Sequence, residues 1–199
     1  RPRLNQEERS VQPFADLSSF AEQMLIHEQA LVKVRDDMPL DEAALNGCGV
    51  TTGVGAVHNT AKVEVGSSVA VIGCGGVGLS CINGAAIAGA GRIIAVDRAG
   101  SKLKLAKEFG ATDVVDASEG DFVKQIMEMT DGGVNFSFKA IGLKQTTEQA
   151  FDMLRPGSAA TVIGMVHYGT KVEIHAANLL QKKRNSFAAP WAQTDFVST

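Results

Sequence analysis

The chain has 199 residues, 45% hydrophobic and 21% charged, an ordinary balance for a folded protein with a sizeable core. Its net charge of −3, with no block of like charges, provides no basic footprint for nucleic acid and no charged tail. The longest apolar stretch, around Val77–Ala90, is too short and too glycine-rich to span a bilayer. Cys48, Cys74 and Cys81 form no C-x-x-C pair, which argues against a disulfide framework and suits a reducing, cytoplasmic compartment.

The chain opens Arg-Pro-Arg rather than with methionine and shows no signal peptide, so a preceding segment is expected. Residues 1–16 are polar and irregular and read as a loop. Residues 17–34 (LSSFAEQMLIHEQALVKV) mix apolar and polar positions in a way that predicts short strands rather than one helix. Asp36-Asp37-Met38-Pro39 reads as a turn. Its proline leads into a helix over 40–63 that is interrupted at Gly47-Cys48-Gly49 and resumes through Thr51–Lys62.

After Gly66 the pattern alternates. Strands are predicted at 68–73, 92–97, 113–116, 134–139 and 159–165, and helices at 76–89, 101–109, 120–129 and 145–154. Gly110-Ala111-Thr112 and Arg155-Pro156-Gly157 mark helix exits. Nearly all-apolar strands between amphipathic helices imply an α/β fold, a parallel sheet covered on both faces. Beyond it, Val172-Glu173-Ile174 reads as a short edge strand. A helix follows whose basic end, Lys182-Lys183-Arg184, suits its own dipole as a solvated cap.

The stretch VAVIGCGGVGLSCINGAAIAGAGRIIAVD (69–97) organises the rest. Gly73, Gly75 and Gly78 have G-x-G-x-x-G spacing, follow a strand and open a helix, and Asp97 ends the next strand 19 residues past Gly78. That is the full context of a dinucleotide site in a doubly wound, Rossmann-type sheet. Gly73 permits the turn, Gly75 leaves room for a pyrophosphate, and Gly78 allows close packing of helix on sheet. The helix beginning near Gly76 presents unpaired N–H groups and its positive end to the phosphates. Asp97 accepts the hydroxyls of an adenosine ribose and repels a 2′-phosphate, favouring NAD over NADP. Arg98, beside it, is the residue type that holds such a phosphate.

With that loop placed, Gly47-Cys48-Gly49-Val50-Thr51-Thr52-Gly53-Val54-Gly55-Ala56 resembles the signature ahead of the nucleotide domain in zinc-type alcohol dehydrogenases of the medium-chain superfamily. SSFAEQMLIHE (18–28), IGCGGVGLS (72–80), IIAVD (93–97), FGATDVVDA (109–117), GGVNFSF (132–138) and FDMLRPG (151–157) add to the likeness. It runs from about residue 1 to 187, near the glutathione-linked (class III) and aryl or allyl alcohol members.

The resemblance implies that Cys48 is a thiolate ligand of a catalytic zinc and that Thr52 lies against the nicotinamide as a catalytic residue. It implies that Val77 packs behind the ring and Lys102 reaches the adenosine ribose. Ile141, Ile163, Gly164 and Met165 would line the adenine and nicotinamide pockets, with Gly76 in the phosphate loop. His27, His58, His167 and His175 match no metal position of the family, and Cys74 and Cys81 read as packing residues. Lys139 stands where the family usually has an acid, and Ser158 where it usually has glycine.

Three segments are expected on this basis. Residues 1–66 would be the end of a GroES-like catalytic domain with connecting helices, and 67–187 the NAD-binding domain. Residues 188–199 form an aberrant tail, AAPWAQTDFVST, in which a frameshift near Trp191 is expected. A catalytic zinc needs three protein ligands, and the other two would come from residues ahead of Arg1. The implied function is hydride transfer from an alcohol to NAD in a full-length homodimer or homotetramer. The alternatives are an NAD-binding module without catalysis and a zinc-free reductase of the same superfamily. Cys48 within GCGVTTG speaks against the last of these.

Overall fold

Val69, Ala70, Val71 and Ile72 are all buried, although alternate side chains along a strand point to opposite faces. Such a strand needs cover on both sides. The computed structural model, which describes residues 4–6, 9–11, 22–174 and 185–188, shows that cover. Two units, residues 1–43 and 44–199, are distinguished.

In the first unit β1 (Leu4–Gln6) and β2 (Arg9–Val11) pair antiparallel, Leu4 opposite Val11. This corrects the expectation of a loop over 1–16: the ladder is made by backbone groups, and three-residue strands are too short to carry a hydrophobic period. The short strands expected within 17–34 are absent from the described part, residues 22–34. Those residues hold a single 3-10 turn, Glu28–Ala30, capped by His27, whose Nδ1 accepts the Gln29 N–H. A strand needs a partner edge, and among the described residues none lies alongside; Leu25 is 99% exposed. Residues 17–21 lie outside the described part.

α1 (Leu40–Leu45) starts after Pro39. The expected break at Gly47-Cys48-Gly49 does not occur. The helical path continues through Asn46–Val50 with widened, i→i+5 turns, through α2 (Thr51–Gly55), and through a second wide stretch, Ala56–Ala61. The glycines loosen the pitch without stopping it. Lys62, in the left-handed region at φ 52°, ends the run.

The remaining elements are β3 (Ser68–Ile72), α3 (Gly76–Ile87), β4 (Arg92–Asp97), α4 (Gly100–Glu108), β5 (Asp113–Asp116), α5 (Phe122–Met129), β6 (Val134–Lys139), α6 (Lys144–Asp152), β7 (Leu154–Val162) and β8 (Asn185–Ala188). All six strands from β3 on are parallel, in the order β5-β4-β3-β6-β7-β8. Chain direction across the sheet reverses between β3 and β6, which opens a crevice at their carboxyl ends. Val69 and Val71 pack with Cys81, Ile82, Leu103 and Val57 on one face. Ala70 and Ile72 pack with Phe122, Ile126, Ala150 and Phe151 on the other. The Ala56–Ala61 stretch, α3 and α4 therefore cover one face of the sheet and α5 and α6 the other.

Two sequence expectations at the sheet edge are corrected. Val172-Glu173-Ile174 is not a strand: the Glu173 N–H donates to a Glu148 carboxylate oxygen at 2.9 Å, and its side chain meets Lys144 at 2.8 Å. These contacts hold the segment on α6, and β8 takes the place beside β7 instead. β7 also begins earlier than expected, taking in Arg155-Pro156-Gly157 through a bulge between the Leu154 and Ala159 pairings. The Arg155 guanidinium, which donates to the Gly133 and Thr130 carbonyls, fastens that bulge. The expected helix ending at Lys182-Lys183-Arg184, His175, and the tail beyond Ala188 lie outside the described residues. No helix among the described residues is long and apolar enough to cross a membrane.

Candidate functional site

The turn after β3 is built around two close approaches. Gly73 has φ +95°, a conformation glycine adopts without penalty, and a Cβ there would stand 2.3 Å from the Ile141 side chain. A Cβ at Gly78 would stand 1.7 Å from the Gly73 carbonyl oxygen, so α3 rests on the turn that precedes it. Around Gly75 and Gly76 a Cβ would meet nothing within 4 Å. No side chain caps α3 at Gly75, and its first N–H groups remain free for an outside acceptor.

Asp97 closes the turn from the side. Its Oδ2 accepts the Cys74 N–H at 2.8 Å and its Oδ1 accepts the Ala99 N–H at 3.0 Å. A carboxylate has about four acceptor positions, so two remain for a ligand. Lys102 Nζ stands 3.9 Å from Oδ2, and Arg98 is exposed beside it. Cys74 is buried, and its thiol is pushed up to about 12, first by burial and then by the charge of Asp97. The Cys81 thiol is also pushed to about 12, by burial. Both are inert packing residues, as expected.

A cleft of about 530 Å³ opens here, at the carboxyl ends of β3, β4 and β6. Gly73, Gly75, Asp97, Arg98, Lys102 and Ile141, all singled out in the sequence, line it. Its far wall was not foreseen: Ala117 contributes from the end of β5, Phe122 from the start of α5, and Gln145 and Gln149 from α6. No local motif marks those positions. They become neighbours only when the sheet forms.

A second, more apolar cavity of about 220 Å³ is lined by Cys48, Thr52, Val77, Ala140, Ile163, Gly164 and Met165. Six of these seven residues were singled out in the sequence, Ala140 being the exception. Ala140 lines both cavities, which therefore meet at the end of β6. Thr52 and Cys48 reach this place because α2 packs very close to α3. A Cβ at Gly53 would lie 2.4 Å from the Ser80 Cβ and 2.5 Å from the Val77 carbonyl oxygen. Gly76 and Gly78 line neither cavity: Gly78 is buried beneath the turn, and Gly76 borders a separate groove with Leu45 and Phe109.

The donors for a metal are incomplete. Cys48 is exposed at the rim of the smaller cavity, and among the described residues no group of three His, Cys, Asp or Glu side chains could hold an ion. A single thiolate does not fit a zinc centre. The geometry does fit an extended ligand with phosphates at the α3 terminus, a polyol beside Asp97 and a flat apolar ring against Val77.

The family model described as zinc-binding dehydrogenase matches residues 76–196. Alcohol dehydrogenase-like 5 of Arabidopsis thaliana is 43% identical over 172 residues, covering 84% of this chain and 44% of that protein. An S-(hydroxymethyl)glutathione dehydrogenase of Photobacterium damsela subsp. piscicida is 42% identical over 166 residues, covering 82% and 45%. The chain thus spans less than half the length of these relatives. The crystal structure of benzyl alcohol dehydrogenase from Acinetobacter calcoaceticus superposes with a TM-score of 0.79 at 37% identity, covering 83% of this chain and 47% of that one. A zinc-binding dehydrogenase from Sinorhizobium meliloti 1021, bound to NADP, superposes with a TM-score of 0.68 at 30% identity, covering 71% and 42%. With the glycine turn, Asp97 and the six-stranded parallel sheet in place, these matches show that the chain belongs to the zinc-binding dehydrogenase family, among the zinc-type alcohol dehydrogenases of the medium-chain superfamily.

Proposed function

We propose that this chain is the NAD-binding part of a zinc-dependent alcohol dehydrogenase, an enzyme passing hydride between an alcohol and NAD. The observation that carries the reading is the pair of cavities meeting at Ala140. The larger has the phosphate-binding turn and Asp97, and the smaller has Thr52 and an apolar wall.

Each residue has a part. The free N–H groups of α3 take the pyrophosphate, and the open space at Gly75 lets it approach the backbone. The two remaining acceptor positions of Asp97 take the adenosine ribose hydroxyls, with Lys102 beside them. Val77, Ile163 and Met165 hold the nicotinamide flat, Ile141 walls the adenosine side, and Thr52 orients the hydroxyl of the substrate. Bound NAD supplies the hydride acceptor. Zinc belongs to the whole protein in this reading, with Cys48 as one ligand. The described residues do not complete its site. The kinship to alcohol and S-(hydroxymethyl)glutathione dehydrogenases supports a small alcohol or aldehyde as substrate. A cytoplasmic homodimer or homotetramer is part of the same proposal.

The test uses the 199-residue chain itself. Calorimetry should show NAD binding more tightly than NADP, metal analysis should find no stoichiometric zinc, and a panel of primary alcohols should yield no NADH. Tighter binding of NADP would refute the assignment of Asp97. Stoichiometric zinc with turnover would mean that ligands come from side chains given no role here, His58 first among them.

A further inference from the structure

Lys139 ends β6 and is fully buried, with a relative exposure of 0%. Among the described residues the one hydrogen-bonding partner of its side-chain amine is a neutral group, the Gly164 carbonyl, which accepts from Nζ at 2.6 Å. No carboxylate among them stands within ion-pairing distance. A buried ammonium without an anion is costly, and a methionine of similar length would fill the same space without a charge. Burial accordingly pushes the Lys139 ammonium below the ordinary lysine range.

The placement of this charge is specific. The Gly164 N–H donates back to the Lys139 carbonyl at 3.0 Å, so both backbone groups of Gly164 are held by one residue. Gly164 lies in the wall of the smaller cavity between Ile163 and Met165, and Ala140, next to Lys139, lines the same cavity. The wall is tightly packed: a Cβ at Gly164 would stand 2.6 Å from the Ile141 carbonyl carbon, and one at Gly142 would stand 2.6 Å from the Met165 carbonyl oxygen. A cation embedded there acts on the cavity through protein rather than water, where screening is weak.

We propose that Lys139 is a specificity-determining residue whose buried ammonium biases the smaller cavity toward the neutral, reduced nicotinamide and against the cationic, oxidised one. The inference rests on the nucleotide reading above. Oxidised nicotinamide carries a positive charge on its ring and the reduced ring carries none, so a fixed cation in the wall opposes only the former. A residue that merely supported the loop would affect both forms alike.

The experiment measures dissociation constants of the 199-residue chain for NAD+, NADH and ADP-ribose, which lacks the ring. The same is done for Lys139→Met, and for Lys139→Glu, which reverses the charge and serves if the methionine variant does not fold. The unmodified chain should bind NADH more tightly than NAD+. The ratio Kd(NAD+)/Kd(NADH) should fall about tenfold or more in Lys139→Met, since a unit charge within about 12 Å of the ring contributes about 1.4 kcal/mol or more at an effective dielectric constant of about 20. It should fall further in Lys139→Glu, while ADP-ribose affinity stays unchanged. Unchanged ratios with ADP-ribose still bound, or equal affinity of the unmodified chain for NAD+ and NADH, would overturn the role of Lys139 and leave the nucleotide site standing. Failure of the unmodified chain to bind ADP-ribose would overturn the nucleotide reading, and the role of Lys139 with it.

Discussion

The Asp97 carboxylate accepts the backbone N–H of Cys74 at 2.8 Å, tying the end of β4 to the turn after β3. A second N–H, from Ala99, holds its other oxygen. The residue that would select the ribose thus also fastens the loop that would bind the phosphates. Asp97→Ala should therefore lower both stability and affinity. Each hydrogen bond to the charged group is worth roughly 1.5–3 kcal/mol. Urea unfolding should show a loss of that order, and NAD affinity should fall at least tenfold while NADP falls less. Unaltered unfolding with weakened NAD binding would show that the two backbone contacts contribute nothing.

Gly53 tests how the smaller cavity is assembled. Alanine there meets the Ser80 Cβ and the Val77 carbonyl, and neither is the loose end of a flexible side chain. Overpacking of this kind costs about 1–3 kcal/mol. Gly53→Ala should move α2 away from α3 and weaken nicotinamide nucleotide binding more than that of ADP-ribose. Equal loss for both ligands would mean that the shift spreads to the larger cleft.

The three thiols should react unequally. Cys74 and Cys81 are buried with thiols pushed up to about 12, whereas Cys48 is exposed. At pH 8 a disulfide reagent should modify one cysteine of the native chain rapidly and all three only in denaturant. Rapid labelling of two or more native thiols would contradict the packing around Cys74 and Cys81.

Arg92 and Asp113 join the starts of β4 and β5 through two hydrogen bonds, at 2.9 and 3.0 Å. The Arg92 guanidinium is the main cause holding the Asp113 carboxyl below its ordinary value. The sign follows from linkage: a carboxyl with a lowered folded-state pKa contributes stability above its unfolded value, near pH 4. That contribution is lost as pH falls through the folded-state value. Both groups are more than a quarter exposed, so the pair contributes about 1 kcal/mol or less. Asp113→Asn should unfold somewhat more readily at pH 7, and the difference from the unmodified chain should vanish toward pH 2. A gap that persists at pH 2 would point to packing rather than charge.

Much of the nucleotide half was legible in the chain. Five of the strands predicted from apolar runs are present, and each helix from α3 to α6 lies within two residues of its expected bounds. β8 was not foreseen, because its four residues, Asn185–Ala188, have no long apolar run and form a strand only against the edge of β7. Val172-Glu173-Ile174 has the pattern of a strand and fails to become one, since Lys144 and Glu148 hold Glu173 on α6.

What the sequence determined by itself is what depends on neighbours in the chain. The spacing of Gly73, Gly75 and Gly78, the strand before them, the helix after them and Asp97 at the next strand end all follow from local stereochemistry and a hydrophobic period. What only the tertiary structure decided depends on residues brought together from afar. The convergence of Cys48 and Thr52 with Ile163 and Met165 required α2 to pack closely on α3 at Gly53. The meeting of two cavities at Ala140 required the order in which successive strands are added to reverse between β3 and β6. Lys139 shows the difference most clearly. In the sequence it is one unexpected residue after Phe138, but in the fold it is a buried cation, because parallel pairing with β7 places Gly164 over its amine.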